Sequence, residues 1–226
     1  MKSASLLIVF MFFGFSSFAQ IDNLELIKQL DSIGRLDQLY RNRLEITRAR
    51  FATDTIQQKT ELHKLFSLMK QADSLNLIAV TSIINKYGWL GADEIGELAN
   101  STLFMVIQHA GLKTQEKYLP IMRLAAKNKK LKATSLALLE DRIAMFQGRK
   151  QIYGSQVAWN LKTNKYTIMP MLDPDNIDIR RAEIGLGPYS VYLSEMNLVW
   201  DVDQYKKDLP SIELWHKEIM SKVNKH

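Results

Sequence analysis

Glu140 to Gln156 reads EDRIAMFQGRKQIYGSQ, and the fold class turns on how this stretch divides. Its first half continues a helical pattern. Leu136, Leu139, Ile143 and Phe146 recur at three- and four-residue intervals, the stripe of a core-facing helix. Gly148 stands where a helix takes its C-terminal left-handed residue. Beyond it, Gln151 to Trp159 alternates roughly and carries Ile152, Tyr153, Val157 and Trp159, which predicts a strand. Lys162-Thr163-Asn164 supplies a turn, and Tyr166 to Leu172 a second strand closed by Asp173-Pro174. A helix running into an antiparallel hairpin, about residues 151–172, sets the class as α+β, predominantly α-helical: a helical bundle with one small hairpin.

Upstream, Ile21 to Arg50 predicts one long amphipathic helix, with Asp22 as a cap and Leu24, Ile27, Leu30, Ile33, Leu36, Leu39, Tyr40 and Leu44 as its stripe. Gly34 is a mild cost inside it. A second helix starts at Asp54 or Thr55, runs past Tyr87 and stops at Gly88. Leu98 to His109 is apolar on every side, the mark of a central buried helix. Gln115 to Asn128, capped by Thr114, and Leu131 to Gln147 follow. Downstream, Asp175 caps a helix carrying Arg180 and Arg181, and Tyr189 to Val199 and Ile212 to Val223 are the last helical segments. With no repeat and no composition break, residues 20–226 read as a single domain.

Residues 1–19 read as a secretory signal peptide: Lys2, the apolar run Leu6 to Phe15, then Ser17-Phe18-Ala19 before Gln20. The expected address is the periplasm or the medium, with no transmembrane anchor after cleavage. The chain has no cysteine, so it is not a lipoprotein and holds no disulfide; its core must suffice. The formal net charge is +6, with basic clusters at Arg41 to Arg50 and Lys127 to Lys132. These read as solvated helix faces and a turn. Together with export, they make nucleic acid an unexpected partner and leave a small molecule or an envelope component.

Two charges in the opening stretch stand among apolar neighbours. Arg142 has Leu138, Leu139, Met145 and Phe146 at helical spacing; Asp141 has Ala137, Leu138, Ala144 and Met145. Such charges must reach water or find a partner. His109 closes the buried helix and is either a general base oriented by Asp141 or a core histidine bonded to a carbonyl. The catalytic candidates are therefore His109 and Asp141. The substrate-binding candidates are Arg142, Gln151, Tyr153, Gln156, Arg180 and Arg181: arginines for a carboxylate or phosphate, the others as a polar wall. The alternative for each is internal bonding. No metal site and no cofactor are expected, because there is no His-x-x-x-His pair, phosphate loop, dinucleotide fingerprint or cysteine nucleophile.

The words Gly88-Trp89, Gln108-His109-Ala110, Asp141-Arg142, Gln151-Ile152-Tyr153-Gly154-Ser155-Gln156, and Asp178 with Arg180-Arg181 occur in that order. The chain resembles here a bacterial family catalogued as domain of unknown function 6624 (DUF6624), over about Asp73 to Tyr189. Leu90 and Ser155 stand where that pattern has proline and threonine. The resemblance implies a shared core over residues 73–189, flanked by N-terminal helices (20–72) and C-terminal helices (190–226). It brings no activity with it. The function read from the residues is a hydrolase- or lyase-type enzyme built on a His/Asp/Arg cluster; the alternative is a non-catalytic envelope ligand- or partner-binding domain.

Overall fold

A computed structural model describes residues 16–50, 55–160 and 165–223, without the side chains of 16–22, 48–50, 55, 58, 165, 222 and 223. The expected signal peptide, residues 1–19, lies outside the fully described residues. Two long helices, α1 (Ser16–Arg50) and α2 (Thr55–Tyr87), pack along each other. Their stripes, Leu30 and Ile33 on α1 and Val80, Ile83 and Ile84 on α2, enter the main core. A single turn, α3 (Ala92–Ile95), leads to α4 (Glu97–His109), which lies against both. Ala99, Leu103, Phe104, Val106 and Ile107 of α4 are buried, but Leu98 and Ser101 are exposed, so the expected burial on every side is limited to the faces packed on neighbouring helices. Gly34 has a purpose within α1: a Cβ there would run into the Thr102 hydroxyl, so the glycine allows α1 and α4 to approach closely.

The helices α5 (Leu112–Lys127) and α6 (Ala133–Phe146) pair and complete the bundle. α5 begins at Leu112, ahead of the expected Gln115, because the Gly111 carbonyl already accepts Thr114 N (2.9 Å). Gly148 ends α6 with φ 72°, and Arg149 N reaches back to Ala144 O (2.8 Å).

The expected hairpin is present but shorter. β1 (Val157–Asn160) pairs antiparallel with β2 (Lys165–Ile168), Val157 opposite Ile168 and Trp159 opposite Tyr166. Residues 151–156 are not strand, apart from one bridge between Gln151 and Met171. Below the hairpin, the 3-10 turn Pro174–Asn176, α7 (Ile177–Glu183), α8 (Tyr189–Ser194) and α9 (Val202–Val223) bury a second cluster: Met171, Ile177, Tyr189, Leu193, Tyr205 and Ile212. α8 stops before the expected Val199; a turn through Asn197 (φ 56°) closes it. α9 starts well before Ile212 and runs through Pro210, its first turn fixed by Asp201 accepting Gln204 N (2.9 Å). The last helix returns to the bundle through the His216 ring, 2.7 Å from Met145 O.

Candidate functional site

The loop 151–156 is held from two sides. Asp141, on the last turns of α6, is 0% exposed. Its Oδ1 accepts Ile152 N (2.6 Å) and Tyr153 N (3.1 Å), and its Oδ2 accepts Tyr153 N (3.1 Å) and Ser155 N (3.0 Å). Gly148 sends the chain back past the helix end and makes this possible. Burial pushes the Asp141 carboxyl above the usual carboxylate range, although these N–H donors pull it the other way. From α7, Arg180 Nε donates to Ile152 O (2.9 Å) and Nη2 to Leu172 O (2.7 Å). Arg181 Nη1 donates to Tyr153 O (2.9 Å) and Nε to Gly187 O (2.8 Å), with its guanidinium over the rings of Tyr189 and Tyr192. Gln151 is fully buried: its amide donates to Gln156 O (3.0 Å) and Met169 O (2.8 Å), and its Oε1 accepts Gln156 N (2.7 Å). Gln156 donates to Ser155 Oγ (2.9 Å). Tyr153, like Arg180, is partly exposed, its phenol pushed up by burial and then by Glu140 and Asp141.

Asp141, Gln151, Gln156, Arg180 and Arg181 thus come together, but with most of their bonding directed at backbone groups of the loop and its flanks. A ligand would have to displace these bonds. The family words read in the sequence describe a loop that a buried carboxylate, two arginines and a glutamine knit closed.

His109 bonds elsewhere. Its Nδ1 lies 3.0 Å from Oδ1 of Asp37, on α1, not at Asp141. Asp37 is 1% exposed and also accepts Gln38 Nε2 (2.8 Å). Arg41, one turn on, sits 3.3 Å from Asp37 and grips both oxygens of Asp73 on α2 at 3.0 Å. The chain Asp73–Arg41–Asp37–His109 ties α1, α2 and α4 together. Burial alone would raise the Asp37 carboxyl; the His109 hydrogen bond and the charges of His109 and Arg41 outweigh it and hold the group below the usual range. His109 is 23% exposed, and its Nε2 has no hydrogen-bond partner among the described residues. The ring lines a cavity of about 200 Å³ together with Asp37, Lys70, Asp73, Ser74 and Gly111.

Arg142 is the second unfilled group. Its Nε is buried without a partner, and its guanidinium makes no hydrogen bond among the described residues. It lies 5.3 Å over the Phe146 ring. Burial, then the charge of Arg41, push its pKa down. No group of three or more His, Cys, Asp or Glu side chains is placed to hold a metal ion among the described residues.

Asp37, Arg41 and Asp73 are the members sequence reasoning missed. One signal was present: Asp37 falls on the buried stripe Leu30–Ile33–Asp37–Leu44, where an apolar residue belongs. The lowered Asp37 pKa has a consequence. Its stabilising contribution is complete above the unfolded value of about 3.9 and is lost as pH falls through the lower folded value. Asp37→Asn is expected to cost about 2 kcal/mol at pH 7, and urea midpoints of variant and wild type should converge as pH falls below the usual carboxylate range. A gap unchanged from neutral to acid pH would contradict this.

No curated protein matches the chain. No solved structure matches it either. A family model matches residues 26–204, from the first helix through both the Asp37–His109 pair and the knitted loop, and by it the chain belongs to the family of unknown function DUF6624.

Proposed function

We propose that the chain is an exported enzyme of hydrolase or lyase type, with His109 as its general base and Asp37, rather than Asp141, as the group that orients it. One observation carries this reading: the buried Asp37 carboxylate takes the Nδ1 side of the imidazole, the ring lines a cavity, and Nε2 has no hydrogen-bond partner among the described residues. In that arrangement Asp37 keeps the proton on Nδ1 and stabilises the imidazolium that forms when Nε2 takes a proton from water or from a carbon acid. Arg142, whose buried Nε has no partner, is the residue proposed to hold an anionic group, although it does not itself line the His109 cavity. Export rests on the leader at residues 1–19; a small molecule or envelope component is the substrate class.

A second reading draws on the same network. Asp73, Arg41, Asp37 and His109 bond one another across three helices, as a structural tie in a non-catalytic envelope-binding domain would. His109→Gln separates the two. Purified protein is assayed against small esters, amides, phosphate esters and β-eliminating acids. The enzyme reading expects turnover that falls by about 100-fold or more in His109→Gln, with a melting temperature within a few degrees of wild type. Undiminished turnover in the variant, or none by wild type across the panel, overturns it.

A further inference from the structure

We infer that the cleft between the β-hairpin and α9 is a saccharide-binding site, separate from the His109 cavity. The cleft holds about 340 Å³, room for one or two sugar rings. Tyr166 of β2, Trp200 before α9 and Trp215 within α9 line it, and Asp201, Gln204 and Asp208 share it. None of these residues borders the His109 cavity. A pyranose ring has apolar C–H faces, which pack on aromatic side chains, and a rim of hydroxyl groups, which need fixed acceptors.

Gln204 bridges the two carboxylates of the cleft. Asp201 Oδ1 accepts Gln204 N (2.9 Å), and Asp208 Oδ1 accepts Gln204 Nε2 (3.0 Å). That leaves the second oxygen of each carboxylate, and Gln204 Oε1, without a partner among the described residues. Three acceptors therefore stand at the start of α9 and along one face of it, beside the aromatic rings. The aromatic wall is equally well held. Trp200 packs edge-on against Tyr189 (4.8 Å between centroids) and at 5.4 Å from Tyr205. Tyr205 is pinned through its hydroxyl, which accepts Met171 N (2.9 Å) and donates to Met169 O (3.1 Å). No basic side chain lines the cleft among the described residues, which disfavours phosphates and sugar acids. Gln204 occupies one oxygen of each carboxylate, and Thr167 and Ser211 share the cleft with them, which favours a hydroxyl-rich ligand over an organic cation.

The test is a titration of the full mature chain with glucose, N-acetylglucosamine, maltose and, separately, tetramethylammonium chloride. Tryptophan fluorescence and the indole N–H resonances report binding. At least one sugar is expected to saturate at millimolar concentration or below, and tetramethylammonium to leave the signals unchanged. Trp215→Ala and Asp208→Asn are each expected to weaken sugar binding by about tenfold or more, and His109→Gln to leave it alone. Asp208 is exposed, so its variant keeps the test decisive should Trp215→Ala fail to fold. The inference is overturned if no sugar perturbs the signals, if tetramethylammonium binds in their place, or if sugar affinity is unchanged in Asp208→Asn.

Discussion

Asp141→Asn is expected to lower the unfolding free energy by about 3 kcal/mol and to leave the Asp37–His109 pair undisturbed. The reason is a count of donors. Both oxygens of Asp141 are occupied by backbone N–H groups, from Ile152 and Tyr153 on one and from Tyr153 and Ser155 on the other. An asparagine keeps one acceptor and turns the other oxygen into a donor. Whichever way the amide is flipped, its NH₂ faces at least one N–H that has no water to turn to. Burial works against the aspartate's charge, so its removal returns some desolvation. Lost charge-assisted bonds at about 1.5–3 kcal/mol each exceed that return. Asp141→Ala, which leaves all three N–H groups unpaired, should cost at least as much. Urea unfolding gives the magnitude, and amide hydrogen exchange should locate the faster opening at residues 151–156. A variant within about 1 kcal/mol of wild type, or opening spread evenly over the chain, would remove Asp141 from its place as the loop's anchor.

That role was half legible. The apolar neighbours of Asp141 marked a charge in need of a partner, and Gly148 marked where the chain turns. The partner stayed hidden because it is backbone: amide groups 11, 12 and 14 residues on carry no side-chain signature. The same region misled the strand reading. Ile152, Tyr153, Val157 and Trp159 are residues that strands favour, but Gln151 and Gln156 are spaced to bond each other across the loop. Periodicity finds repeating elements, and this loop repeats nothing. The long helices were legible for the opposite reason, since their stripes run for many turns. Pro210 hid the first half of α9, because a proline usually marks an end. His109 was found and wrongly paired: its partner Asp37 lies 72 positions away on another helix, a distance across which spacing says nothing.

Gly154→Ala carries the other large effect, an expected loss of roughly 2–5 kcal/mol. Two costs add. Gly154 has φ 71°, where an L side chain costs about 1–2 kcal/mol. A Cβ at that position would also sit 2.7 Å from Cε2 and 2.8 Å from Cζ of Tyr189. Tyr189 cannot give way cheaply: it is fully buried, with Trp200 against its edge, Tyr192 stacked 6.1 Å away and the Arg181 guanidinium over its face. Overpacking a core at such a site costs about 1–3 kcal/mol. The two costs separate in a double-mutant cycle with Tyr189→Leu, which removes the ring. In that background Gly154→Ala should cost only the backbone part, about 1–2 kcal/mol, and the difference is the steric coupling. Equal costs in both backgrounds would assign the whole effect to φ and contradict the contact. Combined with Asp141→Asn, the glycine variant should be less than additive, since either change frees the same loop. Combined with His109→Gln it should be additive, because that ring is bonded to α1 and shares no partner with the loop.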